Sequence, residues 1–343
     1  MPFSLLLMFA LLLTFTLNVD AQDKPIKVMF YNVENLFDIA DDSLTDDDEF
    51  TPGGEKHWTN RRLHKKLNGI YKVIMAAGDY EPPQLIGLAE VENSEVLDML
   101  ISYTPLKAFG YQHIHFDSDD RRGIDVALLY REVFFQPVIE NIIEVRFPFE
   151  PGTKTRNILH VKGFFADSVI LNVFVNHWPS RYGGVNASEQ KRIYAAETLS
   201  NYLKSFFCKG NVSDENILIM GDFNDEPQDI SLEILSNNKK NETFECPLLY
   251  NLFFKSMPEH PGTIKYQTSW FVFDQIIVSR SLVNGSKGLK VDGGMEIFAP
   301  DFLLVDDERN MGKKTYRTYT GPRYLGGISD HLPVMVNLKF VCE

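Results

Sequence analysis

A chain of 343 residues, 44% hydrophobic and 24% charged, has the composition of a globular protein with a sizeable core, arranged as one large domain or two ordinary ones. Its formal net charge of −13 excludes a passive coat that binds nucleic acid by charge alone, because neutralising phosphates takes Lys and Arg. It does not exclude an enzyme that meets phosphates through a bound divalent cation.

An apolar run over residues 3–17 is followed by Val19-Asp20-Ala21, with small residues of the kind a signal peptidase accepts. The run is short for a bilayer span, so residues 1–21 are expected to be a secretory signal peptide and residues 22–343 a single domain, secreted or periplasmic. The absence of Lys or Arg before the run departs from the usual pattern. Three cysteines, Cys208, Cys246 and Cys342, are too few for a disulfide scaffold and lack metal-site spacing. One Cys208–Cys246 bridge is compatible with an oxidising compartment.

Residues 26–35 read as a strand that ends in the polar Asn32, Glu34 and Asn35. The acidic stretch 38–54 is long for a loop and reads as a solvated insertion. Leu63, Leu67, Ile70, Val73 and Ile74 then recur at helical spacing, with Thr59 as N-cap and Gly78 as stop. Residues 84–93 form a second buried strand ending in Glu90 and Glu92, and Asn93 or Ser94 caps a short helix to about Leu100. Two strands between 111 and 130 flank a turn at 117–123. Asp125 lies inside the second of them, where a carboxylate costs desolvation unless it is partnered.

Strands at 158–165 and 169–175 follow, the latter running into Asn176-His177-Trp178-Pro179-Ser180-Arg181. A helix from about 187 to 207 leads to the apolar run 217–220 and the turn Gly221-Asp222-Phe223-Asn224-Asp225. A helix near 230–235, an irregular region to about 268, a strand at 270–278 with Asp274 embedded, and a last strand at 332–338 after Ser329-Asp330-His331 complete the chain. Strands outnumber helices and alternate with them only partly. This pattern predicts packed sheets flanked by helices rather than a simple parallel sheet.

Polar residues gather at the strand ends. Any one of these sets alone is an ordinary turn or a hydrogen-bonded histidine; their joint recurrence carries the functional reading. Acidic and amide oxygens, with no Cys cluster and no His pair four residues apart, suit Mg2+, or Mn2+ or Ca2+, rather than a structural zinc. Such a cation, two histidines and a separate Asp are the equipment of phosphate-ester hydrolysis. No GxxxxGKS/T loop or GxGxxG turn is present, which argues against an NTPase or a dinucleotide enzyme.

The set Tyr31-Asn32-Val33-Glu34-Asn35, Leu88-Ala89-Glu90-Val91, Gly221-Asp222-Phe223-Asn224 and Ser329-Asp330-His331-Leu332-Pro333, in that order, resembles the endonuclease/exonuclease/phosphatase superfamily, deoxyribonuclease-like members in particular. The resemblance covers nearly the whole chain after residue 21. It implies an α/β fold, a four-layered α/β sandwich with two mixed sheets packed face to face and flanked by helices. It implies Glu90 as the principal metal ligand, Asn32 holding metal or phosphate, and Asp330 near the metal. Asp222 would orient or activate the attacking water, Asn224 would bind a phosphoryl oxygen, and His331, held by Asp274, would contact the scissile phosphate. His177 is similar to the second histidine of the deoxyribonuclease branch.

Asp125 is the expected carboxylate partner of His177, with an ion pair to Arg121 or Arg122 as the alternative. Arg181 and Arg192 are expected either to contact phosphate or to form surface ion pairs. The implied activity is metal-dependent hydrolysis of phosphodiester bonds, as an endonuclease/exonuclease-type nuclease with DNA or RNA as substrate. The alternatives are a phosphomonoesterase or phospholipase-type hydrolase of inositol, sugar or lipid head-group phosphates, and a non-catalytic binding protein. The presence of Glu90, Asp222, Asn224, Asp274 and His331 stands against the last. No stable protein partner and no integral membrane segment in the mature chain are expected, although Trp58, Trp178 and Phe271 are aromatic loop residues able to touch lipid. The loops 38–58, 147–156, 237–266 and 298–323 are expected to select the organic part of the substrate.

Overall fold

Alternation of apolar side chains builds two six-stranded sheets in the computed structural model, which describes residues 25–166, 168–208, 214–236, 246–255 and 258–341. The expected signal peptide and Cys342 lie outside the described residues. In chain order the elements are β1 (Ile26–Leu36), α1 (Asn60–Ala77), β2 (Leu85–Val91), α2 (Ser94–Ser102), β3 (Tyr111–His115), β4 (Asp125–Arg131), β5 (Phe135–Ile143), β6 (Ile158–Phe165), β7 (Val169–His177), α3 (Val185–Phe207), β8 (Ile217–Asp222), α4 (Ile230–Leu235) and β9 (Leu249–Asn251). The hairpin β10 (Ile264–Tyr266) and β11 (Ser269–Phe271) precedes β12 (Asp274–Ser279), α5 (Arg280–Asn284) and β13 (Leu289–Ile297). Short strands β14 (Leu304–Asp306), β15 (Lys313–Thr315), β16 (Tyr319–Thr320) and β17 (Arg323–Tyr324) lead to β18 (Val334–Phe340).

The first sheet has the order β13-β18-β1-β2-β4-β3 and the second β5-β6-β7-β8-β12-β9. Each is mixed, with one parallel pair at its centre, β1 with β2 and β7 with β8. The sheets face each other, β1 and β2 lying over β8 and β7. The close approach at the centre needs Gly87, where a Cβ would come 2.8 Å from Met220 Cε of the opposite sheet.

The helices cover the outer faces. α1 starts after Thr59, ends at Gly78 and buries the five apolar residues that mark it in the sequence. Asn93 caps α2, its side chain accepting from the Val96 amide at 2.9 Å. Cys208 and Cys246 form a disulfide with Cα atoms 5.9 Å apart.

Three sequence expectations change. The strand expected at 270–278 breaks at Val272 and Phe273 into β11, which leaves the sheet for a hairpin, and β12. β5 and β13 were not marked by the sequence, because edge strands lose the apolar alternation: β5 holds Pro137 and several exposed polar residues, and β13 is interrupted by Gly293 with a shift of register. Trp58 and Trp178, read from the sequence as loop aromatics able to touch lipid, are fully buried, and their indole nitrogens donate to Phe37 O and Asn176 Oδ1.

Arg192 is likewise in the core, not at the substrate. Its Nε lies 2.7 Å from Asp225 Oδ1 and its guanidinium donates to Ser188 Oγ at 2.8 Å. Removing one member of a buried ion pair strands the other, at a cost of about 3 kcal/mol. Arg192→Met is therefore expected to destabilise the protein by that order in urea unfolding, and an unchanged midpoint would show that Arg181 alone satisfies Asp225.

Candidate active site

The period of two that builds the sheets also aims the polar residues. Leu218 and Met220 of β8 point into the core between the sheets, whereas Ile217 and Ile219 pack under α3. Asp222 continues the inward series. By the same count His177 follows Val173 and Val175 of β7, and Asp274 precedes Ile276 and Val278 of β12. Register pairs His177 with Asp222 and Asp222 with Asp274, so three adjacent strands present one row of inward polar side chains at the end of the sandwich.

The first sheet supplies the facing residues. Phe30 pairs with Gly87, both turned to the second sheet, and two residues on Asn32 pairs with Ala89. Asn32 Nδ2 accordingly donates to Asp222 Oδ2 at 3.0 Å across the interface. Glu90, by alternation, would point to the helix side. A register shift and a left-handed φ of 63° at Glu90 turn it inward instead, to 4.0 Å from His177 Nε2. A left-handed glutamate costs on the order of 1–3 kcal/mol, and such bulges re-aim side chains beside functional sites. The Asn35 amide donates to Glu90 Oε2 at 2.9 Å.

His331 reaches the same place from the loop before β18. Ser329 fixes that loop: its hydroxyl donates to Asn32 O at 2.7 Å and accepts from the His331 amide. His331 Nδ1 and Asp274 Oδ2 are 2.7 Å apart, and Nε2 lies 3.8 Å from Asp222 Oδ2. His177 Nε2 lies 3.6 Å from the same oxygen. Asp222 Oδ1 accepts from the Asn224 amide at 3.0 Å, and the Asn224 side chain donates to Trp178 O.

Burial sets the protonation states. It raises the Asp222 carboxyl to about 7, with the Asp274 charge adding and His331, Asn32 and the Asn224 amide opposing. For His331 burial works against the charged form, but the Asp274 and Asp222 carboxylates outweigh it and hold the imidazole well above its ordinary range. His177 has no such support. Burial, joined by the Arg156, Arg122 and His331 charges, keeps it well below, so it is neutral.

Of the expected site residues, the structure brings together Asn32, Glu90, His177, Asp222, Asn224, Asp274 and His331. Asp330 sits at the rim, 2.9 Å from Arg317. Arg181 is not at the mouth but braces the turn after β8 from behind, donating to Asn224 O, Asp225 and Asp229. Asp125 does not orient His177. It shares parity with Ala127, opposite the inward face carrying Leu128, the partner of Gly87, and therefore faces the helix layer. There its Oδ2 accepts from the Ser118 amide at 3.2 Å and lies 3.7 Å from His115 Nε2. The ion pair to Arg121 or Arg122 is also not made: Arg121 pairs with Asp46 and Arg122 with Glu90.

No motif marks Arg122 and Arg317 in the sequence, yet both pair with acidic residues at the mouth of the site, Arg122 with Glu90 and Arg317 with Glu34 and Asp330. Arg122 lies 3.3 Å from Glu90 and Arg317 donates to Glu34 at 3.2 Å, and their side chains are 51% and 43% exposed. Glu34 and Glu92 are clamps. Glu34 accepts from the Thr318 amide and Glu92 from the Asp38 amide, both at 2.6 Å.

Two groups among the described residues bring three ligand-type atoms within 4.8 Å: Asp222, Asp274 and His331, and His115, Asp117 and Asp125. In the first, His331 and Asp274 are already hydrogen-bonded at 2.7 Å, which leaves no room for an ion between those atoms, and Asp222 stands 3.8 Å away. Glu90, turned inward at the expense of its backbone, Asn32 and Asp330 offer the oxygen donors a hard cation takes, and in this structure Glu90 pairs with Arg122, Asn32 Oδ1 accepts from the Glu34 amide and Asp330 pairs with Arg317.

A model of the Endonuclease/Exonuclease/phosphatase family matches residues 27–340. No curated protein matches the chain. Among solved structures, a mannosyl-6-phosphatase of Bacteroides thetaiotaomicron is 18% identical with a TM-score of 0.58, over 92% of this chain and 100% of that one. The catalytic domain of human Nocturnin with bound sulfate is 19% identical with a TM-score of 0.54, over 92% and 95%. D. rerio TDP2 complexed with a single-strand DNA product is 15% identical with a TM-score of 0.55, over 92% and 100%. At these identities the structural likeness speaks for the fold, an α/β sandwich.

Proposed function

The chain belongs to the endonuclease/exonuclease/phosphatase family, and from that premise we propose that it is a divalent-metal-dependent phosphoric ester hydrolase that cleaves phosphodiester bonds, in its specific form a nuclease acting on DNA or RNA. The observation that carries this reading is the row His177, Asp222 and Asp274 on adjacent strands, closed by His331 and faced by Asn32 and Glu90.

Glu90, with Asn32 and Asp330, would hold Mg2+, or Mn2+ or Ca2+ in its place, which when bound neutralises charge on the phosphoryl group. The remaining work falls to the chain's own groups. Asp222 Oδ2 orients a water and takes its proton as the water oxygen bonds to phosphorus and the bond to the leaving oxygen breaks. The carboxyl is matched to that task by a pKa near neutrality. Cationic His331 donates from Nε2 to a phosphoryl oxygen, while Asp274 fixes its ring through Nδ1. Neutral His177 hydrogen-bonds the phosphoryl group without adding charge, and Arg122 and Arg317 draw the anion to the mouth.

One observation favours a phosphomonoesterase of small sugar, inositol or lipid head-group phosphates. A groove of about 870 Å3 along the loop that carries Arg122 is lined by Asp42, Glu92, Asp117, Asp119, Asp120 and Asp125 against Arg121 and Lys154, and such a wall repels a polyanion. A panel of plasmid DNA, RNA, inositol phosphates, a sugar 6-phosphate and sphingomyelin, run with Mg2+ and then Ca2+, separates the readings. The nucleic acids are expected to be cleaved with the highest kcat/KM, and faster hydrolysis of a monoester would overturn the nuclease form.

Action outside the cytoplasm is part of the proposal. It is supported by the apolar run at 3–17 and by the Cys208–Cys246 disulfide. Among the described residues no helix is long and apolar enough to cross a membrane.

A further inference from the structure

We propose that His115, Asp117 and Asp125 form a second divalent-cation site, for Zn2+ or Mn2+, that clasps the base of the loop carrying Arg122 to Glu90. His115 ends β3 and Asp125 begins β4, so the two residues close the stem of the loop between them. They stand on the same face of the sheet, since His115 pairs with Ala127, two residues from Asp125. That is the helix face. The catalytic row lies between the sheets, so the two sites are distinct.

The imidazole of His115 is 2% exposed, and its Nε2 is buried without a hydrogen-bond partner. It looks at Asp125 Oδ2 from 3.7 Å, while Nδ1 lies 3.4 Å from Ser94 Oγ and 3.8 Å from Asp117 Oδ1. Asp125 is itself buried and, among the described residues, accepts from Ser118 alone. An unpartnered buried nitrogen facing a buried carboxylate is costly, and a cation between them satisfies both. Ligand atoms around Zn2+ sit about 3–3.5 Å apart, close to the 3.7 Å between His115 Nε2 and Asp125 Oδ2. Asp117 stands 3.8 Å from the other ring nitrogen, and its 86% exposed side chain has to swing to the Nε2 side to complete the site, the three ligand atoms now lying within 4.8 Å of one another. The acidic groove outside adds attraction for a cation and none for an anion.

An imidazole among carboxylates selects Zn2+ or Mn2+ over Mg2+ and Ca2+, which take oxygen. The consequence for the enzyme runs through the loop. Asp120 accepts from Arg156, which also donates to His177 O and Trp178 O, and Arg122 stands on Glu90. A cation at the stem would hold this whole segment against both sides of the catalytic centre.

The test uses the full-length protein and Zn2+ alone. Glu90→Gln removes the principal ligand of the catalytic cation, and equilibrium dialysis with elemental analysis then counts bound zinc. One tightly bound Zn2+ is expected to remain in Glu90→Gln, and adding His115→Gln is expected to weaken it by about tenfold or more. Zn2+ is also expected to slow tryptic cleavage after Arg121 and Arg122 in Glu90→Gln and not in the double variant. Should His115→Gln fail to fold, Asp117→Asn at the exposed ligand carries the same expectation. Absence of bound zinc from Glu90→Gln, or its retention at full affinity in both ligand variants, would overturn the site.

Discussion

His331→Ala is expected to lower kcat on a phosphodiester by about 10^3-fold, the scale of a lost proton donor at a developing negative charge. It also strands Asp274, whose carboxylate is buried and whose Oδ1 already lacks a partner. Leaving that charge alone costs about 3 kcal/mol of stability, so lost activity and lost fold must be told apart. His331→Asn does so. Its Nδ2 stands where the imidazole Nδ1 stood and can donate to Asp274, but it carries no positive charge and does not reach the phosphoryl oxygen. Wild-type stability in urea with turnover still depressed is the expected result; turnover within tenfold of wild type would remove His331 from the chemistry.

Asp222→Asn is expected to cost at least as much, about 10^3- to 10^4-fold in kcat/KM, because the amide accepts no proton from water. It should also change the shape of the pH profile. Burial raises the Asp222 carboxyl to about 7, with Asp274 adding and His331 opposing. The carboxylate is the working form, so activity is present above that pH and is lost as pH falls through it. A bound cation favours the carboxylate, which puts the acid limb at or below about 7. His331 must keep its proton, and its neighbours hold its pKa well above the ordinary range, so the alkaline limb falls above neutrality. The residual rate of Asp222→Asn is expected to lack the acid limb. An unchanged limb would assign the titration to another group.

Much of this site is legible in the sequence for one physical reason. His177, Asp222 and Asp274 each stand an even number of residues from inward-facing apolar positions, so burial parity alone aims them between the sheets. Asn32 obeys the same rule. Glu90 breaks it, and only the bulge with its left-handed backbone, which no local pattern announces, brings it inward. Asp125 shows the converse. It is a buried carboxylate near the right height, but a strand's parity cannot say which face is the core when both are covered, and it points to the helix layer with His115. Arg192 is not legible because a charged residue on a long amphipathic helix reads as solvated, whereas Asp225 and Ser188 draw it into the core. Arg122 and Arg317 come from irregular segments, where position is set by tertiary contacts. β5 and β13, at sheet edges, lacked the alternation that betrays central strands.

The central claim, a metal-dependent phosphoester hydrolase built on Glu90 and the His331 cluster, is tested most directly by one titration. Protein stripped with EDTA is assayed on bis-p-nitrophenyl phosphate as Mg2+ is returned. Wild type is expected to fall to the uncatalysed rate and recover with Mg2+, while Glu90→Gln fails to recover at the same concentrations. Undiminished hydrolysis in EDTA, or full recovery of Glu90→Gln, would contradict the account.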